Sequence, residues 1–331
     1  MIDQPEPTGI AGAILDDAVA ALAAGEVVGL PTETVYGLAG DAGSRSAVEK
    51  IYRIKGRPAD HPLIVHVLGD AQARQWGAWN DAAQRLADAF WPGPLTIVLR
   101  RLIGAPPWAC AGQPTIALRC PSHPIARAVL ARLLPQGISG VAAPSANRFG
   151  RVSPTCAAHV RADLGNEVTI VLEGGDAEVG IESTIVDLSR GRPYLLRPGH
   201  LGADALAAVL GEPVAAADSA APKVSGSLAS HYAPMKPLRL VASSQLDAAL
   251  AQALAAGHRV AVCSVVRPQG EGHGVVWRSR SASVDEVERD LYRAMRELDA
   301  AQVDLILMES PPGEPAWSAV NDRLERAAAP R

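Results

Sequence analysis

Aromatic residues make up only 4% of the 331 positions, with two phenylalanines in all. That is too few for the rows of stacking rings by which single-strand nucleic-acid binders hold bases. Basic excess is missing as well: 31 Lys and Arg stand against 35 Asp and Glu, a net charge of −4. A broad nucleic-acid surface normally carries a basic surplus, so only a small local basic site remains open. Lysine is scarce, with four in the chain: Lys50, Lys55, Lys223 and Lys236. No apolar run approaches the roughly 18 residues that a membrane-spanning helix needs. The opening MIDQPEPTGI has acids and prolines where a signal peptide needs positive charge and an apolar stretch, which reads as a chain that stays in the cytoplasm. The four cysteines, Cys110, Cys120, Cys156 and Cys263, form no CxxC pair, so buried free thiols are expected in place of a zinc ribbon or redox motif. GxxxxGK[ST], HExxH and GxSxG are all absent, which excludes a P-loop, that zinc motif and that nucleophile elbow. An enzyme acting on nucleotides with this sequence would orient substrates and stabilise charge, without a covalent nucleophile.

The residues present suffice for a large core: 48% are hydrophobic, and the length suggests about two domains. Residues 211–237, GEPVAAADSAAPKVSGSLASHYAPMKP, show no helical or strand period and have a linker composition. They divide an amino-terminal segment, 1–210, from a carboxy-terminal one, 238–331. In the first segment, apolar periodicity predicts helices over Ile14–Ala24, Ala47–Ile54, Ala82–Phe90, Ile125–Leu134 and Thr155–Leu164. Predicted strands are Val27–Leu30, Leu63–Val67, Leu95–Leu99, Thr115–Arg119, Ile138–Ala143, Val168–Leu172, Thr184–Leu188 and Tyr194–Leu196. This is an α/β or α+β pattern with a large sheet. In the last segment, strands at Leu238–Val241, Val260–Val265 and Val303–Met308 alternate with helices at Gln245–Ala256, Val284–Ala300 and Trp317–Ala328. That is a small α/β unit of Rossmann-like pattern, without GxGxxG. Ser283 and Glu286 have the spacing of a capping box for its long helix.

Chemistry-bearing residues cluster where predicted elements end. Lys55-Gly56-Arg57-Pro58-Ala59-Asp60-His61-Pro62 runs from a basic helix end toward a buried strand. Glycine permits close backbone approach and the prolines stiffen the loop, so Lys55 and Arg57 suit a polyphosphate; a solvated basic turn is the plainer alternative. Ala143-Pro144-Ser145-Ala146-Asn147, followed by Ser153, offers non-titrating hydrogen-bonding groups among small residues, or simply a polar loop. Thr34 after the first strand, Ser183 before another and Arg197 at the end of a third would suit an anionic, amino-bearing ligand. His66 sits inside a strand, where a satisfied core histidine is the ordinary occupant. Asn321, Arg323 and Arg326 share one predicted helix and read as a solvated face.

Taken in order, GLPTETVYGLAGDA, KGRPADHPLIVHV, FWPGPLTIVL, IALRCPSHP, APSANRFGRVSPT, ESTIVDL and LLRPG resemble the YrdC-like threonylcarbamoyl-AMP synthases. The trailing unit is similar to the extension of that family's two-domain form. The resemblance implies a twisted mixed sheet with helices around a large concave cavity. It implies synthesis of threonylcarbamoyl-AMP from L-threonine, bicarbonate and ATP, with Mg2+ and release of pyrophosphate. The product would feed modification of the tRNA adenosine next to the anticodon, through a separate transferase complex. The family's Lys-x-Arg motif falls on Lys55 and Arg57 and its Ser-x-Asn motif on Ser145 and Asn147, the expected catalytic set. With them His61, Thr115, Ser153 and Arg197 are implied to bind ATP, and Thr34, His66, Arg119, Ala143 (by its backbone) and Ser183 to bind threonine. Many relatives carry Asn where this chain has His61. Ser230-His231-Tyr232-Ala233-Pro234 matches a linker motif of the two-domain members, implying that the linker folds over the cavity with His231 or Tyr232 at the nucleotide. Two other readings compete. One is an RNA-binding or ribosome-assembly factor, marked by a salt-sensitive RNA shift without ATP turnover. The other is a carbamoyl-transfer module like that of hydrogenase maturation proteins, which would expect further segments upstream, where only about ten residues precede the first predicted helix.

Overall fold

The computed structural model describes residues 12–226, 228–269 and 274–330; the opening stretch MIDQPEPTGI, read for targeting, lies outside them. The chain forms two compact units, one of Met1–Phe149 with Pro154–Ser227, the other of Gly150–Ser153 with Leu228–Arg331. The division thus falls inside the linker-like segment, and four residues of the earlier sequence group with the second unit.

The first unit is built on nine strands: β1 Val28–Leu30, β2 Gly37–Asp41, β3 Ile64–His66, β4 Leu95–Arg100, β5 Thr115–Arg119, β6 Val141–Ala142, β7 Thr184–Asp187, β8 Tyr194–Arg197 and β9 Ala215–Ala216. They form one mixed sheet in the order β1-β2-β6-β3-β5-β4-β7-β8-β9. Alternation along each strand sorts side chains onto two faces. Val65, Ile97, Leu99, Ile116, Leu118 and Val186 turn to one face and join the main core with helices Arg45–Lys55 and Asp81–Phe90. Their neighbours in sequence, Ile64, Val98, Ala117 and Ile185, turn to the other, where they form a small patch with Val224. The register pairs Ile64 with Ala117, His66 with Arg119, and Thr96 with Arg119, so that second face also carries His66, Thr96, Thr115 and Arg119. A bulge opposite Ile185 and Val186 brings Arg197 level with Ile185, as an extra residue in one strand re-aims the side chains beyond it.

Differences from the sequence reading have local causes. Val168–Leu172 forms no strand, only an isolated bridge from Val171 to Gly29. β2 escaped notice because Gly37-Leu38-Ala39-Gly40-Asp41 has little strand propensity; burial on the sheet overrides it. Helix Ala203–Leu210 was likewise missed. β9 lies within the segment read as linker.

The second unit holds a four-stranded parallel sheet, β10 Leu238–Val241, β11 Val260–Ser264, β12 Val275–Ser279 and β13 Leu305–Glu309, in the order β10-β13-β11-β12. Helices Leu246–Ala255, Val284–Ala300 and Ser318–Ala328 connect and follow the strands. β12 was not predicted. The capping box is replaced: Ser283 makes no side-chain cap bond. Instead Ser281 donates its hydroxyl to Glu286 at 2.5 Å and accepts the Ser283 N–H at 3.0 Å, so the nearer hydroxyl takes the carboxylate. Arg323 is 0% exposed, which corrects the solvated-face reading of its helix.

Candidate active site

Lys55 is the last residue of helix Arg45–Lys55, and Gly56 caps that helix with φ +62. A Cβ at Gly56 would meet nothing within 4 Å, so its conformational freedom is what the turn requires, and not the close approach expected from sequence. The turned chain buries Lys55, whose Nζ donates to the carbonyls of Ser145 at 2.5 Å and Asn147 at 2.7 Å. Burial, and then the neighbouring Arg57 charge, hold the Lys55 pKa well below that of an ordinary lysine. Phe149 N–H closes the same junction on Lys55 O at 2.8 Å. The Lys-x-Arg and Ser-x-Asn motifs are therefore joined directly.

Arg57 is also buried. It donates to the carbonyls of His61 (3.3 Å) and Pro62 (2.9 Å), reaches Ser225 Oγ at 3.4 Å, and lies 5.5 Å from the Phe149 ring centre. His61 packs edge-on against the same ring, and burial, then the charge of Arg57, lower its pKa. Arg197 donates to Ser183 O through Nε (3.1 Å) and Nη2 (3.0 Å), to Ser183 Oγ (3.1 Å), and to Ser225 O (2.9 Å). Ser225, which sequence reasoning left inside the linker, thus stands between the two arginines. Its only signal was position, two residues after Lys223 in a glycine- and serine-rich run.

In the same row across the sheet, Arg119 Nη2 lies 2.8 Å from Glu33 Oε1, with both side chains nearly fully buried. The second carboxylate oxygen accepts Ser122 N–H. Glu33 was quoted within its motif but given no task; a buried arginine needs a buried carboxylate, and that need was the available signal. His66, beside Arg119 in the register, has Nδ1 3.3 Å from Ile64 O, and burial followed by the Arg119 charge pushes its pKa down to about 3. It is neutral at physiological pH. Ser183 and Thr96 hydroxyls meet at 2.7 Å, both fully buried; Thr96 is another residue the sequence reading missed.

Thr32 donates to Val35 O at 2.6 Å, so the 3.0 Å contact between Thr32 and Thr34 hydroxyls makes Thr34 the donor there. Lone pairs of Thr34 remain for a ligand. Ala143 N–H is taken by Ile64 O at 3.1 Å, which leaves its carbonyl as the group it can offer. Thr115 begins β5, opposite Arg100. Ser153, His231 and Tyr232 belong to the second unit, and all three are buried. All four cysteines are free; Cys110, Cys120 and Cys263 are buried as expected and burial raises them to about 11, whereas Cys156 is only half-buried.

A family model described as "Telomere recombination", that of the Sua5, YciO and YrdC proteins, matches residues 20–199. The model for "Threonylcarbamoyl-AMP synthase, C-terminal domain" matches residues 202–329. The chain is 37% identical over 324 residues to the threonylcarbamoyl-AMP synthase of Bacillus subtilis, covering 95% of this chain and 92% of that protein. The crystal structure of Pyrococcus abyssi Sua5 complexed with L-threonine superposes with a TM-score of 0.86 at 33% identity, covering 95% of this chain and 94% of that one. A variant of the same archaeal protein with a His and a Tyr replaced by alanine superposes with a TM-score of 0.88 at 31% identity, over 97% and 94% of the two chains. With two family models matched in succession and relatives spanned almost end to end, the chain belongs to the two-domain threonylcarbamoyl-AMP synthase family.

Proposed function

We propose that the protein condenses L-threonine, bicarbonate and ATP into threonylcarbamoyl-AMP, releasing pyrophosphate. The observation that carries this reading is a set of buried cations, Lys55, Arg57, Arg119 and Arg197, set among serine and threonine hydroxyls in one unit. Such a set suits two anionic substrates, a polyphosphate and an amino acid carboxylate.

The threonine amine combines with bicarbonate to give a carbamate and water. A carbamate oxygen then attacks the α-phosphorus of ATP, and the bond to the β-phosphate oxygen breaks as pyrophosphate leaves. Charge spreads over the phosphoryl oxygens in that displacement, so fixed cations and alignment do most of the catalysis. Lys55 and Arg57 are assigned to the phosphates, with Ser145, Asn147, His61, Thr115, Ser153 and Arg197 completing the nucleotide site. Arg119 is assigned to the threonine carboxylate, Thr34 and the Ala143 carbonyl to its amine as acceptors, and neutral His66 with Ser183 to its polar side. Magnesium enters as part of the MgATP substrate. Glu33, a buried carboxylate among these cations, is committed to Arg119 and Ser122, which favours the phosphates as carriers of the metal.

His231 and Tyr232 are assigned to the nucleotide, the stretch before them closing over a hydrolysis-prone mixed anhydride. Val224 packing on the site face and Ser225 between Arg57 and Arg197 support such a cover. The activity is assigned to the cytoplasm, where a transferase complex would pass the threonylcarbamoyl group to tRNA. No helix among the described residues is long and apolar enough to cross a membrane.

The test is pyrophosphate release from MgATP with threonine and bicarbonate omitted in turn. Release should require both and fall on the order of 10²-fold or more in Arg57→Ala. Release indifferent to threonine, together with a salt-sensitive RNA shift, would point to an RNA-binding factor.

A further inference from the structure

We infer that His123 is a positioning residue for threonine, fixing the spacing of three stretches of chain through the hydrogen bond from its Nε2 to Gly174 O. The inference rests on the assignment of Thr34, Arg119 and Ser183 to threonine, and it adds what sets their distances from one another. His123 lies a few residues after Arg119, directly before helix Pro124–Leu133, and is half-buried. Every residue involved belongs to the first unit.

Both nitrogens of the imidazole are engaged. Nδ1 accepts the N–H of Ile125 at 3.2 Å and so caps helix Pro124–Leu133. Nε2 lies 3.2 Å from the carbonyl oxygen of Gly174. An amide N–H only donates and a carbonyl only accepts, so the ring is the neutral tautomer with its hydrogen on Nε2. Burial favours that neutral form and holds the pKa below the ordinary histidine value. Asparagine, aspartate, serine and threonine are the usual caps, and any of them would close this helix. None of them, being short, can hold a second loop while it caps.

Gly174 is a junction. Its N–H donates to Tyr36 Oη at 3.0 Å, and Tyr36 Oη donates in turn to Gly175 O at 2.8 Å. A methyl group at Gly174 would stand 2.5 Å from Pro31 Cβ and 2.8 Å from His123 Cε1, so both rings press on this peptide. Between Pro31 and Tyr36 the chain carries Glu33 and Thr34. Val179 N–H donates to Glu33 O at 2.8 Å and joins the same two loops a second time. Next to His123, Ser122 N–H holds the Glu33 carboxylate that pairs with Arg119. Beyond Gly174 the chain continues to Ser183. The bond from His123 to Gly174 thus ties the stretch of Arg119 directly to the loop that ends at Ser183. Without it the three stretches shift against one another, and apparent threonine affinity falls by the fraction that stays competent. Lys55 and Arg57, assigned to the phosphates, are held by carbonyls of Ser145, Asn147, His61 and Pro62, so nucleotide affinity should not follow.

The experiment measures binding of L-threonine and of α,β-methylene-ATP by calorimetry, together with Tm, in full-length His123→Asn and His123→Gln. Asparagine keeps the cap acceptor but is too short to reach Gly174 O. Its Tm should match that of the wild type while its threonine Kd rises about fivefold. Glutamine is a poorer cap whose amide still reaches Gly174 O. Its Tm should fall while its threonine Kd stays within about twofold of the wild type. Nucleotide Kd should stay within about twofold in both. The inference is overturned if His123→Asn binds threonine as the wild type does, or if threonine affinity in the two variants simply follows Tm; either result leaves the threonine assignment standing. A wild type that binds no threonine would overturn the assignment of Thr34, Arg119 and Ser183, and this inference with it.

Discussion

The guanidinium of Arg119 and the carboxylate of Glu33 meet at 2.8 Å with the side chains only 4% and 3% exposed. Removing one member of a buried pair strands the other charge, typically at a cost of about 3 kcal/mol or more. Glu33→Gln keeps the shape and deletes the charge. It should lower Tm and raise the threonine KM more than tenfold, read by thermal unfolding and threonine-dependent pyrophosphate release.

His66 links stability to pH. Its pKa is about 3 when folded and about 6.5 in the unfolded chain, so the unfolded state binds more protons between those values. The stability this neutral histidine allows is complete above pH 6.5 and is lost as pH falls toward 3. Between pH 7.5 and 5 the wild type should lose about 2 kcal/mol that His66→Gln does not. Urea unfolding of both proteins at the two pH values checks this; parallel losses would refute it.

Lys55 links nucleotide binding to pH. Its folded pKa is depressed, so the unfolded chain binds more protons from that pKa up to about 10.5, and this group's contribution to stability rises with pH across the window. A bound polyphosphate favours the ammonium. Nucleotide binding should therefore take up a proton above the apo pKa, increasingly so as pH is raised. Calorimetry in buffers of different ionisation enthalpy measures it, and the uptake should vanish in Lys55→Met.

The hydroxyls of Thr96 and Ser183 form a buried pair 2.7 Å apart. Thr96→Val preserves volume and leaves Ser183 with one partner fewer, a loss of about 1 kcal/mol. The threonine KM should rise about fivefold with the ATP KM nearly unchanged. Equal changes in both would remove Ser183 from the threonine side of the site.

Gly199 tolerates no side chain: a Cβ there would sit 2.4 Å from Thr184 N and 2.8 Å from Ser183 C. Backbone cannot yield as a flexible side chain does, so Gly199→Ala should move the start of β7 and with it Ser183. Expected is a loss of stability of about 2 kcal/mol or more, seen as a lowered urea midpoint.

Helices that carry a 3.6-residue period, such as Val284–Ala300, and strands with alternating or β-branched residues, such as Thr115–Arg119, were legible because those patterns are local. β2 was not, since glycine and alanine carry no strand preference and only burial between β1 and β6 makes them one. Glu33, Thr96 and Ser225 escaped for a related reason. Each matters through a partner far away along the chain, Arg119, Ser183 and Arg57 respectively.

By itself the order of motifs from Pro31 to Gly199 determined which residues could carry phosphate and amino acid chemistry, because residue type dictates charge and hydrogen-bonding capacity. Tertiary structure alone decided how they are used. Strand register put His66, Thr96, Thr115, Arg119 and Arg197 on one face of a sheet whose opposite face is core. Burial then turned Lys55 and His66 away from their ordinary pKa values and demanded Glu33 for Arg119. It also buried Arg323 beside Tyr232, where the sequence suggested only a solvated helix face. Pairing across a sheet and removal from water depend on segments far apart in the chain, and no local pattern encodes them.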